Sequence, residues 1–215
     1  EGFIGWTLKK DEFIADCSEI DDVIAFRSDG IMTVVRVSEK KFVGKDLQHV
    51  GLWKKGDIRT IYHMIYRDGP KGAYMMKRFS VKSVTRDKEY NMTKGTPGSK
   101  VIYLSVHPNG EREVVTVFLR ARAKLKKLRI DIDFSELMIK GRSSMGNRVT
   151  RETVNKIIQK ELGVSTLAAR KIWFDEIVGR LNDENRGKLI GEFKGGDKIL
   201  TLYKTGHYRL SNFSL

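Results

Sequence analysis

The residues with the plainest chemistry in this 215-residue chain form a cationic run from Val114 to Arg129, VVTVFLRARAKLKKLR. Read with a period of two, it sets Arg120, Arg122, Lys124 and Lys126 on one face of a strand and Leu119, Ala121, Ala123 and Leu125 on the other. Lys127 and Arg129 extend the charge. Alternate side chains on a strand stand about 6.7 Å apart, close to the roughly 6.8 Å rise of two base pairs, so such a ladder can track a phosphate backbone. The competing use is edge protection, since lysines on an outer strand keep sheets from adding to one another. Two more cationic groups accompany the ladder. Lys77, Arg78, Lys82, Arg86 and Lys88 lie in KRFSVKSVTRDKEY, and Lys140, Arg142 and Arg148 lie in and beside the glycine-bearing loop Lys140–Gly146.

Composition points the same way. Lys plus Arg number 41 against 27 Asp plus Glu, a net charge of +14, which calls for a polyanionic partner, nucleic acid first and an anionic membrane surface second. The apolar runs are too short for a spanning helix or a signal peptide, so no membrane insertion is expected. A single cysteine, Cys17, excludes an internal disulfide, fits a reducing cytoplasm and is read as a small core residue. Four scattered histidines offer no zinc constellation. There is no GxxxxGK[ST] phosphate loop and no nucleophile elbow, and Gly141–Gly146 lacks the Lys and Ser/Thr that such a loop needs. The acid pairs Asp21–Asp22 and Asp131/Asp133 are expected at blade corners. No catalytic residue, metal ligand or cofactor site is expected in the chain.

The elements that must carry these cations are strands. Gly5–Asp11, Gly51–Asp57 and Gly191–Asp197 share the pattern Gly-x5-Asp, each followed by an apolar strand, with the Asp read as a turn cap. The second separation is about three times the first, which calls for two degenerate copies between them, and Gly98 and Gly146 fall at the expected places. Ser28-Asp-Gly30, Arg67-Asp-Gly69, Pro108-Asn-Gly110 and Lys204-Thr-Gly206 each separate β-rich runs, as hairpin turns do. A period of about 45 residues built from hairpins predicts an all-β, propeller-like ring of four-stranded blades, about four to five repeats in one domain over residues 1–215. Residues 1–19 read as closing strands of a blade begun upstream, so the chain is taken as a fragment. Trp53 reads as a core anchor. Val154, Ile157 and Ile158 show helical spacing, predicting a short helix over Thr150–Leu162 closed by Gly163. Lys171–Leu181 reads as a strand pair around Trp173 and Phe174.

Three strings carry a resemblance: KRFSVKSVTRDKEYNMTKGTPGSKVIYLSVHPNGE, FSELMIKGRSSMGN and KIWFDEIVGRLNDENRGKLIGEF. The chain resembles the C-terminal domain of the A subunit of bacterial type II topoisomerases, of the topoisomerase IV kind found in Bacteroides. The resemblance implies a β-pinwheel, blades in a ring with strands exchanged between neighbours, whose basic rim binds and bends duplex DNA. It implies as partners an N-terminal breakage-reunion domain and a B subunit, with ATP and Mg2+ bound elsewhere in a cytoplasmic enzyme. The Gln-Arg-Arg-Gly-Gly-Lys-Gly box of the gyrase relatives is missing, and Lys140–Gly146 is its nearest counterpart. A gyrase-type wrapping domain and a propeller-like protein-interaction module are the alternatives.

Overall fold

The computed structural model describes residues 2–8, 12–123 and 125–211. The chain runs through β1 (Phe3–Ile4), β2 (Asp22–Arg27), β3 (Ile31–Arg36), β4 (Lys41–Phe42) and β5 (Leu47–Trp53). Next come β6 (Ile61–Arg67), β7 (Tyr74–Ser80), β8 (Glu89–Asn91) and β9 (Lys100–His107). β10 (Glu111–Leu119), β11 (Arg129–Asp133), β12 (Lys140–Gly141), β13 (Asn147–Thr150) and β14 (Val154–Ser165) follow. The last are β15 (Arg170–Asp175), β16 (Arg180–Asn182), β17 (Lys188–Phe193), β18 (Ile199–Leu202) and β19 (Tyr208–Ser211). The only helical element among the described residues is a 3-10 turn, Phe134–Glu136, capped by Asp133.

One pairing rule runs through four sheets. A central strand takes its hairpin partner on one side and a later strand on the other, giving β3-β2-β5, β7-β6-β9, β11-β10-β14 and β16-β15-β17. The free side of the hairpin partner is then taken by a strand from further along the chain: β8 pairs with β3, and β12 and β13 pair with β7. The fold is therefore all-β, in several sheets that exchange strands, and none of the sheets closes on itself. Gly30 shows the turn chemistry behind the first hairpin. Its φ of 85° suits a residue without Cβ, its N–H reaches the Arg27 carbonyl at 3.1 Å, and an added Cβ would lie 2.4 Å from Thr93 Cγ2.

Packing follows from the exchange. Every residue from Ile61 to Tyr66 in β6 is buried, because both faces of its sheet are covered. Tyr62, Met64 and Tyr66 join Ile24, Phe26 and Phe79 in one core, where Tyr62 stacks on Phe79 at 5.5 Å. Ile65 points the other way, into a second core with Val115, Val117, Ile132 and Phe134. Trp53 is a core anchor as expected, its indole N–H donating to the Val81 carbonyl at 2.9 Å. Beyond residue 166 the core thins to Ile172 and Ile199 with Leu181 and Phe193 against them.

Several expectations change. Turns and pairings at Gly30, Gly69 and Gly206 make hairpins, and β15 pairs β16 around Trp173 and Phe174. Pro108-Asn-Gly110 is instead a corner, since β9 pairs with β6 while β10 pairs with β11 and β14. The helix expected over Thr150–Leu162 is the strand β14, and Gly163 lies within it. Register shifts along β14 insert extra residues, so the partly buried Val154 and Ile157 fall three apart and mimic helical spacing. Cys17 is exposed, in an irregular segment outside every strand, and does not belong to the core.

The repeat survives in altered places. Gly51, Ser105 and Gly191 each face the third residue of a central strand, Ile24, His63 and Ile172. Turns follow at Lys54–Asp57, His107–Gly110 and Lys194–Asp197. Asp57 and Asp197 do cap these turns, whereas Asp11 lies outside the described residues. Gly98 and Gly146 sit in other turns at φ 75° and 85°, so the copy between them begins at Ser105, which lacks the glycine. Ile65→Ala is expected to cost roughly 2–5 kcal/mol in urea unfolding, as an emptied core site does. Leu202→Ala, at a residue 75% exposed, should shift stability by no more than about 0.5 kcal/mol. Equal effects at the two positions would contradict this packing.

Candidate nucleic-acid interface

The cationic run over residues 114–129 is not one strand. β10 ends at Leu119 because its partners end there, with Arg129 of β11 and Lys156 of β14 opposite Phe118 and Val154 opposite Leu119. After Leu119 the chain leaves the sheet, with the Leu119 N–H on the Leu128 carbonyl at 2.8 Å closing the excursion and Leu125 packed against the second core. Ala121 and Ala123 are exposed, so the two-sided alternation does not form. Arg120, Arg122, Lys126 and Lys127 are nevertheless exposed, and Lys124 lies outside the described residues. Arg122 is paired with Glu152 at 2.6 Å, whereas Arg120 and Lys126 form no ion pair among the described residues.

Two aromatic rings organise the remaining cations. Strand register sets Arg129 and Lys156 on either side of Phe118, with Arg129 Cζ 5.2 Å and Lys156 Nζ 5.0 Å from the ring centroid. Tyr90 on β8 holds Arg142 Cζ at 4.4 Å and Lys88 Nζ at 5.6 Å. Arg142 also donates to the Ser83 carbonyl at 3.0 Å, and the Tyr90 hydroxyl accepts from the Thr85 N–H at 2.8 Å. The 82–90 and 140–148 stretches, separate in sequence, thus form one patch. A carboxylate neutralises a cation, but a ring face holds it in place and leaves its charge available to a third party. Beside this patch Lys71, Lys94, Arg148 and Arg151 line an open cleft around Asp68, where Lys94 is 3.6 Å from the carboxylate. Lys82 and Lys140 are exposed without an ion pair among the described residues.

Two expected contacts are withdrawn from the rim. Lys77 and Arg78 are 2% and 4% exposed, because both faces of β7 are packed over while β12 and β13 take its edge. Lys77 gives its ammonium to the carbonyls of Met92, Arg142 and Ser144 at 2.7, 2.7 and 2.9 Å, and burial pushes its pKa down to about 7. Arg86 stays at the surface, but its guanidinium is paired with Asp22 at 2.7 Å. Lys156 escaped the sequence reading because it fell in the stretch misread as helix. Asp131 lies within β11 rather than at a corner, paired with Lys160, whereas Asp133 ends β11 at the turn it caps and pairs with Arg112.

Two of the four histidines come together. His63, His107 and Glu113 meet in the interior, the only such group of metal-ligand types among the described residues. Glu113 Oε1 accepts from Tyr103 and Gln159 at 2.6 and 2.7 Å, and Oε2 accepts from Ser105, His63 Nδ1 and His107 Nε2 at 2.6, 2.9 and 3.1 Å. Five donors fill the roughly four lone-pair sites of a carboxylate, and both imidazoles spend a proton on it. Both carboxylate oxygens and one nitrogen of each imidazole are committed to these bonds, so the cluster acts as a hydrogen-bonded anchor in which the buried His63 Nε2 is the atom left without a partner. Burial opposes ionisation of Glu113, but the bonds from His107, His63, Ser105 and Tyr103 outweigh it and hold the carboxyl well below the usual range. Burial pushes His63 down to about 4. The available signal was Tyr103, Ser105 and His107 at every second position of β9, a polar face on an otherwise apolar strand.

Comparison with known proteins adds two findings. A family described as topoisomerase C-terminal domain, Bacteroidota, matches residues 1–161 and 180–215. The A subunit of DNA topoisomerase 4 from Borreliella burgdorferi is 25% identical over 158 residues, which are 73% of this chain and 23% of that protein. The chain thus spans about a quarter of the length of that relative.

The Glu113 anchor makes the fold acid-labile. His63 in the folded chain refuses a proton that the unfolded chain takes below about pH 6.5, and Glu113 loses its depressed-pKa contribution as pH falls below about 4.5. Thermal melts from pH 8 to 4 are expected to show stability falling steadily below pH 6.5. Glu113→Gln should cost roughly 3–5 kcal/mol at pH 7 and flatten the profile below pH 4.5. A parent melting temperature independent of pH would contradict the arrangement.

Proposed function

The chain belongs to the family of topoisomerase C-terminal domains of Bacteroidota, and from that premise we propose that it is a non-catalytic module that binds and bends duplex DNA for a type II enzyme. The observation that carries this reading is the pair of ring-held cation patches, Arg129–Phe118–Lys156 and Lys88–Tyr90–Arg142. With Arg120, Lys126 and Lys127 beside the first and Arg148 and Lys82 near the second, they concentrate the chain's +14 charge on exposed surfaces. Phosphate contact through Arg and Lys releases counterions and reads little sequence. Bending needs contacts at separated points, and the two patches lie on different sheets, one on β10, β11 and β14 and the other on β8 and the 140–146 loop.

The β-pinwheel is the architecture this reading favours, and it is supported by the exchange of β8, β12 and β13 into preceding sheets. Strand passage itself is assigned to a breakage-reunion domain and a B subunit, which bind ATP and Mg2+, with this module as an accessory in the bacterial cytoplasm at the nucleoid. Among the described residues no helix is long and apolar enough to cross a membrane. The topoisomerase IV reading is preferred to a gyrase-type wrapping domain because the relative comes from a topoisomerase 4 and the gyrase box is absent from the sequence.

Fluorescence anisotropy with a duplex of arbitrary sequence tests the reading. The log–log dependence on salt should have a slope of about −0.9 for each phosphate neutralised, with little change between sequences. The pairs Arg129→Gln with Lys156→Gln, and Lys88→Gln with Arg142→Gln, should each flatten the slope by about two while leaving the fold intact. Parent affinity retained in both pairs would refute it and favour the protein-interaction alternative.

A further inference from the structure

The two cations withdrawn from the rim raise their own question. Lys77 and Arg78 are consecutive on β7 and buried on opposite faces of its sheet, and neither has a carboxylate within ion-pair distance among the described residues. Buried charges normally come with a counter-charge, because leaving water costs several kcal/mol per ion. Lys77 is satisfied as a donor by its three carbonyls and lies over the Phe79 ring, with Nζ 4.5 Å from the centroid. Arg78 is not satisfied even as a donor. Its Nη atoms reach the carbonyls of Leu137 and Gly110 only at 3.4 Å, although Nη2 also meets Thr166 Oγ1, and its Nε has no partner.

Both residues line an open pocket of about 180 Å3, enough for several waters. Its wall also contains Ser144, whose buried hydroxyl has no partner, with Lys140 and Asn147 nearby. Arg78 and Lys140 thus share the lining with one carboxylate, Glu136, which forms no ion pair with either among the described residues. We propose that this pocket, between β7, the Phe134–Glu136 turn and the 140–147 segment, is a binding site for a phosphate-type oxyanion. Arg78 and the Ser144 hydroxyl supply the donors, and Lys140 supplies the field. A planar guanidinium beside a hydroxyl suits a tetrahedral oxyanion with several acceptor oxygens, and such charge-assisted bonds are the strong ones. The inference does not rest on the DNA reading, since the oxyanion can be free phosphate or a diester of a bound duplex.

Inorganic phosphate titrated into the 215-residue chain at constant ionic strength, with chloride as the counter-titrant, tests it by 15N-resolved NMR. Saturable shifts are expected at the amides of Ser144, Gly146 and Asn147. Ser144→Ala should weaken the apparent affinity about tenfold, as loss of a bond to a charged group does. Lys140→Gln should weaken it as well, and Arg78→Gln should abolish it where its spectrum remains folded. The Arg129→Gln, Lys156→Gln pair should leave it unchanged, which separates this site from the surface patches. Competition identifies the source: a backbone diester in the pocket makes phosphate weaken duplex binding more than chloride does, and a free anion leaves the two salts equal. Non-saturating shifts in the parent, or Ser144→Ala and Lys140→Gln indistinguishable from it, would overturn the assignment.

Discussion

Each sheet in this protein has an open edge, and the structure depends on how those edges are paired. An exposed row of N–H and C=O groups invites the wrong partner. Here the edges of β3 and β7 are taken by β8 and by β12 with β13, strands that belong later in the chain. This pairing sandwiches β6 between two cores and buries β7 from Tyr74 to Ser80 apart from the half-buried Met76. It also carries Tyr90 and Arg142 to the same place, so the patch they form follows from the way the sheets are joined.

The same joining sorts the cations into two populations. Some are held at the surface over Phe118 and Tyr90, where a ring fixes the head group without cancelling its charge. Others are drawn inside, where Lys77 fastens β7 to the ends of β8 and of the 142–144 loop through three carbonyls. Tyr66 helps by donating its hydroxyl to the Met145 carbonyl at 2.6 Å. The loop that bears Arg142 is therefore anchored from below while its guanidinium stays outside. In the second core the matching anchor is anionic, with Glu113 collecting five donors from β6, β9 and β14.

The sequence disclosed local features better than long-range ones. Gly30, Gly69 and Gly206 marked their hairpins because a tight turn needs a residue that accepts positive φ, which is a property of the residue alone. The end of β10 at Leu119 depends on where β11 and β14 stop, and no pattern within 114–129 records that. Bulges in β14 broke the period of two and produced a helical spacing in its place. Lys77 and Arg78 look like rim cations until Arg142, Ser144 and Leu137, about 60 residues further along the chain, close over them. Of the expected contacts, Lys88, Arg129 and Arg142 gained a structural rationale from rings that the sequence also contained, and Lys156 was added by register.

Chemical-shift mapping of the chain with a short duplex of about 20 base pairs tests the central claim most directly. The account predicts the largest perturbations around Phe118, Arg129 and Lys156 and around Lys88, Tyr90 and Arg142, collapsing together as salt is raised. Perturbations confined to residues 166–211, or absent at low salt, would contradict it.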